Sequence, residues 1–308
     1  MNGTAPSEAM TGVDLGGTKI SAVVLSPDGS ERARLRTPTP QGDYAATVES
    51  IRDIVSAVEV EAGLEPRRNA PVGIGTPGST VPGTGLMQNA NSTCLNGKPL
   101  LTDLKSALGR EITMANDANC LALSESTDGA AKGEACVFAA ILGTGVGGGI
   151  VIDGRLLAGP RGLSGEWGHN PLPWPHEDEH PGPQCWCGRH GCIEAWLSGP
   201  ALAADHLART GEAMDAQAIA ARTSPACADT MNRYTDRLAR ALGAVVNMID
   251  PDVIVLGGGL SRVAALYERL PPRALPHIFC DAPSVRIVPA KHGDDSGVRG
   301  AARLCAPR

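Results

Sequence analysis

Gly12-Val13-Asp14-Leu15-Gly16-Gly17-Thr18-Lys19 is followed by the apolar run Ile20 to Leu25 and the turn Ser26-Pro27-Asp28-Gly29. Strand, glycine turn, strand, Pro-Asp-Gly turn, strand reads as a β-meander. The same order returns further along the chain. Cys136 to Leu142 is an apolar strand, Gly143-Thr144-Gly145-Val146-Gly147-Gly148-Gly149 a glycine turn, Ile150 to Ile152 a second strand, and Asp153-Gly154 a hairpin turn. An internal duplication is the simplest account. It predicts two similarly built α/β domains facing each other across a cleft.

The stretches around the two meanders read as α/β. Asp43 is a plausible N-cap, and Val48, Ile51, Ile54, Val55 and Val58 recur at helical spacing behind it, predicting a helix of about five turns. Val72 to Thr76 is a short buried strand that stops at Pro77-Gly78. Residues 170–192, dense in Pro, His, Gly and Cys, read as irregular. Met231, Tyr234, Leu238, Leu242, Val245 and Ile249 mark a long amphipathic helix, and Val253 to Leu256 a strand ending in Gly257-Gly258-Gly259. Residues 1–10 read as a loose terminus and Ser296 to Leu304 as a short closing helix.

Composition narrows the class. The 308 residues carry a net charge of −6, whereas a nucleic-acid or anionic-membrane binder shows a basic patch. No apolar run reaches the roughly 20 residues of a membrane span, and Met1 to Pro6 lacks the features of a signal peptide. With Trp 4, Tyr 3 and Phe 2, the core must be built from Ala, Val, Leu and Ile. Nine cysteines, three of them clustered, suggest a reducing compartment and one metal site rather than a disulfide framework. A cytoplasmic α/β enzyme is expected.

Several constellations admit a functional and a plain reading. Gly16 and Gly17 let a backbone approach an anion closely, Thr18 and Lys19 add donors, and Asp14 is placed to hold a metal through water; the alternative is an empty hairpin turn. Gly143-x-Gly145-x-x-Gly148 matches the dinucleotide fingerprint as a string, but that fingerprint requires a helix where a strand is read here. Its Gly143-Thr144-Gly145 can still cradle phosphates. Gly257, Gly258 and Gly259 leave room for a flat ring or an anion, or make a tight connection. Cys185-x-Cys187-x4-Cys192 suits tetrahedral Zn²⁺, with His169, His176, His180 or His190 as fourth ligand. His176-Glu177-Asp178-Glu179-His180 spells the zinc-protease motif, but the surrounding prolines oppose the helix it needs; a charged, solvated loop is expected. Asp117 is either an N-cap, favoured by its position before a helix, or a general base. Glu166 and Glu194 flank the metal loop and suit sugar hydroxyls or plain solvent.

In this order the motifs resemble the ROK family (repressor, open reading frame, kinase), over about residue 12 to 304. The resemblance rests on Asp14 to Lys19, Gly75-x-Pro77-Gly78, Asn116-Asp117-Ala118-Asn119 and Gly143-Thr144-Gly145-x-Gly147. Gly165-Glu166-x-Gly168-His169, Cys185-x-Cys187-Gly188-x-x-Gly191-Cys192-x-Glu194 and Gly257-Gly258-Gly259 complete it. Asn89 to Gly97 and Glu166 to Trp174 look most like bacterial fructokinases of the manno(fructo)kinase type.

The resemblance implies a duplicated actin-like, ribonuclease-H-like two-domain sugar kinase fold with an interdomain cleft. Residues 1–115, completed by a C-terminal helix over 292–308, would form one domain and 116–291, carrying the zinc loop, the other. ATP phosphates would lie between the turns at Gly16, Gly17, Thr18 and Lys19 and at Gly143, Thr144 and Gly145, with Mg²⁺, and the adenosine near Gly257 to Gly259. His169 becomes the fourth ligand of a structural zinc with Cys185, Cys187 and Cys192. Asp117 becomes the base, overturning the cap reading, and Asn91, Asn116, Glu166, His169 and Glu194 contact the sugar. The implied reaction is transfer of the γ-phosphoryl of ATP to the 6-hydroxyl of fructose, with mannose a secondary substrate; N-acetylglucosamine kinase or glucokinase is the alternative. Some relatives are sugar-sensing repressors, but about eleven residues before Gly12 are too few for a helix-turn-helix. No nucleic-acid or membrane partner is expected, and a homodimer is.

Overall fold

The protein is described by a computed structural model that covers residues 9–65 and 70–306. It divides into two compact units. One comprises the described residues up to Ser124, Ala158–Leu163 and those from Asp295 onward; the other comprises Glu125–Leu157 and Ser164–Asp294.

In the first unit β1 (Met10–Leu15), β2 (Lys19–Leu25) and β3 (Glu31–Pro38) form the meander. The reading of a loose terminus lies outside the described residues up to residue 8, and at Met10 the chain is already a strand. Asp43 caps α1 (Tyr44–Glu61) by accepting from the Ala46 N–H at 3.0 Å. The helix buries Ile51, Ile54, Val55 and Val58 against the sheet. Next come β4 (Val72–Thr76), a small hairpin of β5 (Ser79–Thr80) and β6 (Met87–Gln88), α2 (Leu100–Leu108) and β7 (Ile112–Asn116). The sheet order is β3-β2-β1-β4-β7, the meander antiparallel and β1, β4 and β7 mutually parallel.

The helix α3 (Asp117–Thr127) follows β7 without a loop. The division between units falls within it, after Ser124, where the sequence reading placed it after residue 115. A continuous helix carries no glycine or proline punctuation to mark such a point. The return to the first unit comes at Asp295, and Ala158–Leu163, unforeseen from sequence, belongs to it as well.

The second unit repeats the plan. β8 (Cys136–Leu142), β9 (Val146–Ile152) and the two-residue β10 (Arg155–Leu156) are its meander. Asp153 and Gly154 turn the last corner with positive φ, 49° and 74°. Then come α4 (Ile193–Leu197), α5 (Gly199–Thr210), α6 (Ala216–Ala221), α7 (Pro225–Ile249), β11 (Val253–Gly257), α8 (Ala265–Ala274) and β12 (Ile287–Pro289). The order β10-β9-β8-β11-β12, with β8, β11 and β12 parallel, is that of the first sheet. Its core gathers Leu142, Leu197, Tyr234, Leu238, Leu242 and Leu256 around α7.

The C-terminal helix, Ser296–Arg303, belongs to the first unit and lies flat on its strands. A Cβ on Gly12 would come within 2.3 Å of the Ala302 nitrogen, and one on Gly73 within 1.7 Å of the Ala301 oxygen. Two strand glycines therefore let helix backbone touch sheet backbone. Among the described residues no helix is long and apolar enough to cross a membrane.

Candidate active site

In open α/β sheets ligands bind beyond the carboxyl ends of the parallel strands. In the first unit those ends bring together Asp14 on β1, Gly75 on β4, and Asn116 at the end of β7 with Asp117 directly after it. Asn116 accepts the Asn119 N–H at 2.8 Å and so caps α3. Asp117, the residue expected from position alone to cap, is instead the first helical residue. Its carboxylate accepts the Ala118 N–H at 2.8 Å and keeps an exposed face. The protein around it strips enough water to raise its pKa above the ordinary Asp value, against that hydrogen bond.

Asp14 faces glycine on two sides. A Cβ on Gly75 would sit 3.5 Å from its Oδ1, and one on Gly297 3.3 Å from its carboxylate. Burial, joined by the charge of Asp117, pushes its pKa up to about 6, and Lys19 pulls the other way. A cation or a proton at Asp14 would relieve both the burial of its charge and the repulsion from Asp117.

The turn after β1 closes with the Gly16 N–H donating to the Lys19 carbonyl at 3.0 Å, and leaves Gly17, Thr18 and Lys19 exposed. Thr39 steadies it by donating to the Gly16 carbonyl at 2.7 Å. Asn91 lies exposed on the loop after β6, beside Ser92, whose Oγ is 3.9 Å from where a Gly17 Cβ would be. Asn96 holds this loop through both the N–H (2.9 Å) and the carbonyl (3.0 Å) of Ala90. Neither Thr39 nor Asn96 stood out in the sequence as a support, since each acts on backbone some distance away along the chain.

The second unit places its glycine turns at the same edge. Gly143, Thr144 and Gly145 follow β8, and Gly257, Gly258 and Gly259 end β11. Gly258 has φ 83°, and a Cβ there would lie 2.5 Å from the Leu142 carbonyl. Gly148 is a packing residue inside β9, where the dinucleotide fingerprint would need a helix: a Cβ would lie 2.8 Å from both the Gly165 carbonyl and the Trp167 ring. The turn Glu166-Trp167-Gly168-His169 is thereby pressed onto β9. Trp167 Nε1 donates to the Gly147 carbonyl at 2.9 Å, and a Gly168 Cβ would meet the Val146 oxygen at 2.0 Å. Glu194, in the first turn of α4, accepts the Val146 N–H at 2.8 Å.

That turn delivers His169 to the cysteine loop. A tetrahedral Zn²⁺ site has S···S edges of about 3.8 Å and S···N edges of about 3.6 Å, given its bond lengths. Cys187 and Cys192 Sγ are 3.6 Å apart, and Cys185 Sγ is 3.6 Å from His169 Nδ1. All four donors lie within 4.8 Å of one another. The positive φ of Gly188 (86°) and Gly191 (71°) folds the loop back. A hydrogen bond from backbone at Arg189 brings the Cys187 thiol down to about 6, while burial pushes Cys192 up to about 12. His176 turns instead to Asp236 at 3.2 Å and His190 to the Gly182 carbonyl at 3.3 Å; His180 is exposed. The donor set fits zinc.

The loop expected to be fully solvated is not. His176, Glu177, Asp178 and His180 are exposed, but Glu179 is buried and bonds Arg237 Nε at 2.7 Å and Arg240 Nη2 at 2.8 Å. Its partners sit on α7, far along the chain.

The ROK family profile matches residues 10–307. The chain is 38% identical over 302 residues to an N-acetyl-D-glucosamine kinase of Haemophilus influenzae (strain 86-028NP), covering 95% of this chain and 98% of that protein. It is 38% identical over 300 residues to one of Vibrio cholerae, covering 95% and 98%. Among solved structures it resembles a ROK hexokinase from Thermus thermophilus, TM-score 0.85 and 31% identity over 97% of this chain and 98% of that one. A ROK family glucokinase from Streptomyces griseus, in complex with glucose and AMPPNP, gives TM-score 0.79 and 26% identity over 97% and 99%.

Proposed function

Because the chain belongs to the ROK family, we propose that it is an ATP-dependent sugar kinase acting on the 6-hydroxyl of N-acetyl-D-glucosamine. The observation that carries the reaction is Asp117: a carboxylate with an exposed face and a raised pKa, beyond the carboxyl ends of parallel strands, with the capping duty taken by Asn116. Such a group suits a general base. The substrate follows the relatives. The strings Asn89 to Gly97 and Glu166 to Trp174 pointed to fructose. Kinases named for N-acetyl-D-glucosamine, at 38% identity over nearly the whole chain, move fructose to second place.

In this reading Asn91, Asn116, Glu166, His169 and Glu194 orient the sugar, and Asp117 takes the proton of its 6-hydroxyl as that oxygen attacks in line. The backbone N–H groups of the turns at Gly16 to Lys19 and Gly143 to Gly145 receive the phosphates, and Gly257 to Gly259 lie against the adenosine. Asp14 would hold Mg²⁺, which neutralises phosphate charge when bound; a buried carboxylate whose pKa burial and the charge of Asp117 raise supports this. Cys185, Cys187, Cys192 and His169 would hold zinc with no ligand position left open, so its part is structural. ATP chemistry and clustered thiols together favour the cytoplasm. A homodimer is proposed on the exposed Met248 and Phe279, joined through Asn247, which accepts the Phe279 N–H at 2.8 Å; sedimentation tests it.

The experiment is ADP release with MgATP over N-acetylglucosamine, fructose, mannose and glucose. N-acetylglucosamine should give the highest kcat/KM. Asp117→Asn should keep sugar binding and lose about 10²–10⁴-fold in kcat. Fructose in first place overturns the substrate, an active Asp117→Asn overturns the base, and no ADP with any sugar overturns the kinase.

A further inference from the structure

Trp186 lies between two of the clustered cysteines and has no part in the reading above. It is 61% exposed, so packing does not explain its size. Yet it is held at both ends. Its Nε1 donates to Glu194 Oε1 at 2.5 Å, and its ring stands edge-on to His169, centroids 4.9 Å apart and planes at 85°. The other oxygen of Glu194 accepts the Val146 N–H at 2.8 Å. One carboxylate is thus gripped by a donor from the cysteine loop and a donor from the glycine turn after β8. It sits so close to that turn that a Cβ on Gly145 would lie 2.7 Å from Oε2.

We propose that Trp186 is a positioning residue: it fixes the direction of the Glu194 carboxylate and ties the cysteine loop to the Gly143–Gly145 turn. This rests on the reading of Glu194 as a sugar contact. Held by Val146 alone, the carboxylate is free to swing about that bond. A second, charge-assisted donor removes the freedom and leaves one presentation of its lone pairs. Because Cys185 and Cys187 flank Trp186 directly, closure of the loop on a metal sets the indole as well. Emptying the loop therefore releases Glu194 without touching it.

Trp186→Phe keeps an aromatic ring and removes the N–H. In the zinc-loaded protein it should leave zinc content unchanged, raise KM for the sugar roughly tenfold, and leave kcat within about threefold. Paired with Glu194→Ala it should add nothing beyond Glu194→Ala alone, since alanine already removes the acceptor of the indole N–H. A second readout needs no turnover. The indole ¹H–¹⁵N signal missing from Trp186→Phe is that of Trp186, and it should shift in Glu194→Gln and again when the metal is chelated. A signal unmoved by Glu194→Gln, or wild-type KM in an active Trp186→Phe, overturns the proposal. A wild-type protein that turns over no sugar overturns the kinase reading instead, and the indole signal still decides the Trp186–Glu194 link.

Discussion

Asn116 takes the capping bond at the head of α3, which leaves Asp117, one residue on, turned outward. Asn and Asp rank alike at N-caps, so residue type does not choose between them; the run of β7 up to Asn116 does. Asp14 carries a prediction at this scale. Its pKa is raised from 3.8 to about 6, so the folded state holds a proton that the unfolded state has released. Stability is therefore lost as pH rises through that window and is level above it. Asp14→Asn removes the loss, worth on the order of 3 kcal/mol for two pKa units. In metal-free protein the variant should melt higher than wild type at neutral pH, the gap closing below the window, while kinase turnover falls. Melting curves that differ by the same amount at every pH would refute it. Spacing alone permits any of four histidines, and the family resemblance, not the spacing, singled out His169; the packing of Gly168 on Val146 is what aims it at the sulfurs.

Between α7 and the loop before the cysteines runs a chain of buried charge. Arg240, 1% exposed, bonds Glu179, Asp236 and the carbonyls of Pro173 and Trp174. Arg237 bonds Glu179 and Asp205. Burial alone would raise the pKa of Glu179, but bonds from Arg237 and the His176 N–H outweigh it and hold the carboxyl below its usual range. Glu179→Ala should cost about 3–5 kcal/mol by leaving buried guanidinium groups without their shared acid, read as a lower denaturant midpoint; a midpoint near wild type would show that Asp205 and Asp236 suffice. The string His176 to His180 revealed the absence of a protease helix, because prolines act locally. It did not reveal this network, because Arg237 and Arg240 look from sequence like the solvated face of an amphipathic helix.

Two sheets with the same strand order stand behind two glycine turns, and this much was legible because a meander is written in adjacent residues. The boundary inside α3 and the strand-free insertion Ala158–Leu163 were not, since each depends on contacts distant in sequence. At this scale the metal is tested. Chelation should remove one zinc per chain and lower the melting temperature by roughly 5–10 °C, with recovery on adding zinc back. Chelation without any change in melting would leave the cysteine cluster as free thiols.

The C-terminal helix has a consequence for folding. Its partners Met10, Val23 and Leu25 are separated from Val298 and Ala302 by the whole of the second unit. The second unit is drawn from Glu125–Leu157 and Ser164–Asp294 and does not include that helix. Until that helix docks, the first unit keeps an apolar sheet face uncovered, and docking it closes a loop that contains the second unit. A variant cut before Ser296 would carry a second unit with all its strands and a first unit with an open sheet face. Quality-control proteases would meet it as a half-folded protein, whatever the state of the cysteine loop.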